Sequence, residues 1–213
     1  MADLQISAPA GSLQVRPSWQ QGEQEFEQLA LVCHPHPLFG GTMDNKVVTT
    51  LARFFKKQNM AVALFNFRGV GSSTGVHDNG VGEVDDAAAV LDWALRQTSA
   101  TQLYVAGFSF GAYIAAALAS RLNQQQLHAG SGRSELLKTF LVAPPVHHYP
   151  MQHLSLNQNT VVLIGDQDEV VPPAQVIQWA DRLDLPVHLM PECSHFFHGH
   201  LNDLTDQLQQ NFP

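Results

Sequence analysis

Short, uninterrupted apolar runs alternate with longer amphipathic stretches along most of this chain, and that alternation restricts its fold more than any other feature. The runs cover residues 29–33, 60–67, 102–107, 139–143, 160–165 and 186–190. Each is rich in Val, Leu, Ile or Phe and does not alternate with polar residues, as strands read when a parallel sheet is covered on both faces. Between the runs, Val47, Val48, Leu51, Phe54 and Phe55 recur at helical spacing. Val84, Ala87, Ala88, Leu91, Ala94 and Leu95 make a clearer stripe, opposite Glu83, Asp85, Asp86 and Asp92. Ile177, Ala180 and Leu183 repeat the pattern, and Leu201, Leu204 and Leu208 close the chain. Residues 111–119 are apolar and Ala-rich all round, which predicts a helix buried close against the sheet. Ahead of the alternation, 4–7 and 13–19 read as two antiparallel strands joined through Pro9-Ala10-Gly11. The sum predicts an α/β fold: an open, mostly parallel sheet with helices on both faces and an antiparallel start. No Pro/Gly/Ser-rich linker divides the 213 residues, so 1–213 is expected to form one domain, with 123–134 (NQQQLHAGSGRS) as a mobile surface loop.

Composition narrows the function classes. Against 19 Asp and Glu stand only 11 Lys and Arg, a formal net charge of −8. A nucleic-acid partner needs a basic face that releases counterions, and these scattered cations supply none. Anionic membrane surfaces are disfavoured for the same reason. The longest apolar runs reach about half of a roughly 20-residue membrane span. Residues 1–11 have neither the basic nor the apolar region of a signal peptide. Two cysteines, Cys33 and Cys193, are too few for a disulfide scaffold. Both lie near strand ends, close enough in that reading to approach one another, and are read as buried thiols. A cytoplasmic protein is the expectation.

The sharpest local signal is Gly107-Phe108-Ser109-Phe110-Gly111, directly after a predicted strand and before the buried helix. So tight a turn forces its central residue into a strained conformation, and glycine on either side avoids a clash. Ser109 is thereby held up at the carboxyl end of the sheet. A serine hydroxyl at its ordinary pKa is a poor nucleophile and needs a base, itself held by an acid. On this architecture the chain order is Ser, then Asp or Glu, then His. The run 160–165 leads into Asp166-Gln167-Asp168-Glu169, and open α/β sheets bind ligands at that end of their strands. Asp168, in the loop, is the chosen acid; Asp166 is the alternative, and Glu169 is expected to face solvent. Beyond the last strand stand His195, His198 and His200, of which His195 comes first and is the chosen base.

Developing negative charge on the substrate requires N–H donors. Phe110, just after the nucleophile at a helix N-terminus, supplies one. The other is expected from His34-Pro35-His36-Pro37-Leu38-Phe39-Gly40-Gly41, where Pro35 and Pro37 have no N–H. That leaves His36, Leu38 or their neighbours, and His36 lies nearest the strand end.

In this order, CHPHPLFGGTMDNK, FNFRGVGSSTG, GFSFGA, GDQDEVVP and CSHFFHG resemble the α/β-hydrolase superfamily. The nearest resemblance is to small lidless bacterial serine hydrolases of the dienelactone-hydrolase-like kind, over residues 12–212. The resemblance implies a triad of Ser109, Asp168 and His195 with an oxyanion hole near His36 and Phe110. It implies no cofactor and a small-molecule acyl substrate. One departure stands out: dienelactone hydrolases carry a cysteine nucleophile, and this chain has Ser109. Arg68 is read as structural, tying loop carbonyls or a carboxylate such as Asp86. Two other classes remain: a catalytically silent hydrolase fold used for binding, and a metal-dependent hydrolase using His34 and His36 with His195, His198 and His200. The latter lacks any H-E-x-x-H or paired-Cys spacing. Lid domains in this fold are commonly inserted after the strand that follows the nucleophile helix, but that link is only 144–159. It is too short to bury a cap. An open cleft walled by Leu38 and Phe39 is expected, suited to short, soluble acyl esters without activation at a lipid–water interface.

Overall fold

The structure, a computed structural model, describes residues 2–20, 25–124 and 134–212. Two antiparallel strands, β1 (Leu4–Ala8) and β2 (Gly11–Pro17), open it as a hairpin turning at Pro9-Ala10. Then follow β3 (Gln28–Cys33), α1 (Lys46–Lys57), β4 (Ala61–Phe65), α2 (Val81–Gln97), β5 (Gln102–Phe108) and α3 (Phe110–Asn123). The chain continues through β6 (Glu135–Val142), β7 (Thr160–Gly165), α4 (Pro173–Arg182), β8 (Val187–Met190) and α5 (Leu201–Gln210). All eight strands belong to one sheet in the order β1-β2-β4-β3-β5-β6-β7-β8, parallel from β4 onward.

Because side chains alternate across a strand, each apolar run serves two cores. In β3, Leu29, Leu31 and Cys33 join one core with α2, α3 and α4, while Ala30 and Val32 join the other with α1 and α5. That division explains why the runs lack polar alternation. Helix α3 packs on β5, β6 and the end of β3, so closely that a Cβ on Gly111 would lie 2.3 Å from the Cys33 carbonyl oxygen.

Several boundaries differ from the sequence reading. Strand β6 begins at Glu135, not 139, because Glu135 and Lys138 interrupt the apolar run, yet Gln102 pairs with Glu135 and Tyr104 with Lys138 in the ladder. Strand β4 stops at Phe65; beyond it Asn66 N–H reaches back to the Gln14 carbonyl. Glu83 and Asp86, expected on the solvent face of α2, are both buried. Cys33 and Cys193 do not approach one another: β5, β6 and β7 separate β3 from β8, and the thiols lie in opposite cores. Both are free and buried, and burial pushes both thiols up, Cys193 to about 11. The surface loop expected over 123–134 falls, apart from its ends, outside the described residues. Link 144–159 holds one short 3-10 turn, Met151–His153. Among the described residues no helix is long and apolar enough to cross a membrane.

Candidate active site

At the turn from β5 to α3, Ser109 has φ 54° and ψ −122°, a region that side chains rarely occupy. Its N–H is tied to the Val142 carbonyl at 2.8 Å, and its carbonyl accepts from Ala112 N–H at 2.8 Å. The flanking glycines permit the turn. A Cβ on Gly107 would sit 2.0 Å from the Gly111 carbonyl oxygen. Ser109 is held partly exposed while Phe108 and Phe110 are buried on either side.

Two further strand ends converge on that hydroxyl. His195, buried after β8, brings Nε2 to 3.2 Å of Ser109 Oγ, and its Nδ1 lies 2.8 Å from Asp168 Oδ2. An ionised carboxylate only accepts, so the proton on His195 sits at Nδ1 and the Nε2 lone pair faces the serine hydroxyl. Asp168 is buried in the loop after β7, where its Oδ1 accepts from Val170 N–H (2.9 Å) and Val171 N–H (2.7 Å). Those bonds fix the second oxygen toward the imidazole. Asp166 is exposed. Glu169 is exposed as expected, but it also accepts the His195 backbone N–H at 3.1 Å. The ring of His195 is steadied by Phe108 and Phe196, each 5.1 Å away between centroids. His198 is exposed and stacked on Phe196, and His200 is bonded to Asp203 at 2.8 Å.

The loop after β3 is shaped by His34. Its Nε2 accepts from Phe67 N–H at 3.0 Å and its Nδ1 meets the Pro35 carbonyl at 2.7 Å. Burial pushes this imidazole down to about 4, so it is a neutral fastener. Beyond it the backbone curls over His36, whose carbonyl accepts from Phe39 and Gly41 N–H, while His36 Nδ1 accepts from Leu38 N–H at 3.2 Å. Leu38 N–H is thus occupied. His36 N–H and Phe110 N–H have no hydrogen-bond partner among the described residues. Leu38 and Phe39 stand outermost, 70% and 86% exposed.

Arg68 is spent on structure. Its Nε and Nη2 bond Asp86 at 2.9 and 2.7 Å, and Nη2 also reaches the Gly82 carbonyl at 2.6 Å. The pair accounts for the burial of Asp86. Glu83 is buried for a different reason: it accepts Asp78 N–H and Gly80 N–H, both at 2.8 Å, at the start of α2. Glu83, at the third position of α2, thus supplies only the returning half of a capping box, because Gly80 has no side chain to supply the other. His77 Nδ1 lies 2.9 Å from Glu83 Oε1, without hydrogen-bond alignment. Among the described residues no three His, Cys, Asp or Glu are grouped to hold a metal ion.

With the sheet order and the Ser109–His195–Asp168 geometry established, relatives decide the family. The α/β-hydrolase fold family matches residues 36–144. An α/β serine hydrolase homologue from Coxiella burnetii is 40% identical, with a TM-score of 0.85 over 100% of this chain and 97% of that one. The chain belongs to the α/β-hydrolase family. A lidless α/β serine hydrolase from Xanthomonas campestris is 35% identical, with a TM-score of 0.87 over 99% of this chain and 92% of that one. An uncharacterised protein of Rickettsia prowazekii is 32% identical, covering all of this chain and 92% of that protein. As an α/β-hydrolase, the chain has its antiparallel hairpin at one sheet edge and its Ser, Asp and His at the carboxyl ends of β5, β7 and β8.

Proposed function

We propose that this α/β-hydrolase is a carboxylesterase-like serine hydrolase acting on ester-type bonds of small, soluble acyl substrates. One observation carries the reading. The hydroxyl of a serine on a strained backbone, an imidazole and a buried carboxylate are hydrogen-bonded in sequence at 3.2 and 2.8 Å. Ser109 Oγ attacks the acyl carbon as its proton passes to His195 Nε2. The oxyanion that forms is stabilised by Phe110 N–H and His36 N–H. His195 then gives the proton to the departing alcohol oxygen, leaving the acyl group esterified to Ser109. Water attacks that ester with His195 as base, the carboxylic acid departs and Ser109 regains its proton. Asp168 holds the tautomer and balances the imidazolium charge.

The short link 144–159 supports an open cleft, since sixteen residues there are too few to bury a long acyl chain. Burial of each methylene is worth only about 0.8 kcal/mol even when complete, so length confers little here. Short soluble esters are the favoured substrates, and a lipid–water interface gives no activation. The test is turnover of short acyl esters by the wild-type chain and by Ser109→Ala. A loss of ~10⁴-fold with the fold intact is expected, because the three residues act as a unit. Retention of a tenth of the activity would overturn the assignment.

A further inference from the structure

A continuous strip of aromatic rings begins beside Ser109, and the hydrolytic scheme leaves most of it unused. From the rim inward, Phe39 lies 4.8 Å from His36, and His36 5.0 Å from Phe110, between ring centroids. Phe110 is 5.4 Å from Tyr149, which stacks on Tyr113 at 4.5 Å. These are the separations at which aromatic rings attract one another beyond the effect of buried area. The rings come from three places: the loop after β3, the first turn of α3, and link 144–159. Phe110 is buried behind the others, His36, Tyr113 and Tyr149 are half-buried, and Phe39 is 86% exposed. Leu38, Val76 and Val81 are also exposed, in the same β3 loop and the segment that carries His77 into α2. Exposed apolar groups concentrated beside a reactive hydroxyl mark a binding surface.

The strip's position decides which part of a substrate meets it. The rings against His195 are Phe108 and Phe196, neither of them in the strip. A leaving oxygen has to reach His195 Nε2, so the alcohol portion lies on that side. With the oxyanion on the Phe110 and His36 N–H groups, the acyl substituent is left to point away from His195, toward the side chains of the strip. Beneath it, His77 is 4.8 Å from His36 and 5.6 Å from Phe110, and touches the buried Glu83 carboxylate. Burial, reinforced by the Glu83 charge, pushes the Tyr149 hydroxyl up to about 12, so it stays an uncharged phenol. An anionic ring would meet that carboxylate's field.

We propose that the accessible edge of the strip, formed by Phe39, His36 and Tyr149 with Phe110 packed behind them, is an acyl site selective for uncharged aryl groups. The inference rests on the serine-hydrolase reading and names its substrate class. It is tested with phenylacetyl and cyclohexylacetyl esters of one alcohol, matched in size and each corrected for its alkaline hydrolysis rate. The expected kcat/KM ratio is roughly fivefold or more in favour of phenylacetyl. Tyr149→Leu and Phe39→Leu, which keep apolar volume but remove a ring, each bring the ratio toward one. Phe39 is so exposed that its replacement leaves the cores untouched. A ratio of one or below in the wild type, or a preference unchanged in both variants, overturns the aryl site. Fluorophosphonate labelling run alongside separates the failures. Labelling of Ser109 with a ratio of one overturns the aryl site alone; no labelling and no ester turnover overturn the hydrolase reading and the aryl site with it.

Discussion

Asp166 and Asp168 stand two residues apart after the same strand, and their surroundings give them different capacities. Asp168 is buried and accepts Val170 and Val171 N–H through one oxygen, which leaves the other aimed at His195. Asp166 is exposed, so its charge is screened by water and it has no imidazole to orient. Steady-state kinetics are expected to show kcat reduced ~10³- to 10⁴-fold by Asp168→Asn, through the wrong imidazole tautomer. Asp166→Asn leaves kcat within about twofold of wild type. The reverse order would move the orienting role to Asp166. The convergence of Ser109, Asp168 and His195 was legible because each follows the end of a predicted strand of one sheet. Glu169 was not, since an exposed acid folding back onto the His195 N–H has no sequence signature. Glu83 was masked by its place on the polar stripe of α2, since Gly80 at the N-cap gives no capping-box signature.

At the scale of elements, the β5–α3 turn is where sequence and structure constrain each other most. The Gly111 Cα faces the Cys33 and His34 carbonyl oxygens, and an added Cβ would lie 2.3 and 2.5 Å from them. Backbone atoms in the central strand cannot move aside as a side-chain tip would, so overpacking there costs the fold directly. Gly111→Ala is therefore expected to lower stability by about 3 kcal/mol or more in denaturant unfolding. Gly40→Ala is the comparison: at φ 77° with open space around it, it loses only about 1 kcal/mol. Similar midpoints for the two variants would show that the helix is less tightly seated on the sheet. The buried helix was readable from its Ala-rich run, because small residues are what such close packing needs. The first half of β6 was not, since Glu135 and Lys138 lie in a ladder whose pairing partner, β5, is distant in sequence. The supposed approach of the two cysteines failed similarly: strand order in space, not proximity to strand ends, separates them.

For the whole molecule, the sheet lies between two cores, and His34 locks the end of its strand β3. Its ring is neutral when folded, with the pKa pushed by burial to about 4 from 6.5. Between those values the unfolded chain binds more protons, so stability rises with pH. The contribution is fully present above about 6.5 and is lost as pH falls toward about 4, up to about 3 kcal/mol in all. Unfolding free energies measured across this window are expected to show a slope that His34→Gln flattens by up to one proton. An unchanged slope would place the acid sensitivity elsewhere. On the proposed serine-hydrolase reading, pieces delivered by separate strands make Ser109 a nucleophile. Its most direct test is reaction of the folded chain with a fluorophosphonate, read by intact mass and peptide mapping. A single adduct on Ser109, absent from Ser109→Ala, is the predicted result. No adduct, or an adduct on another residue, would contradict it.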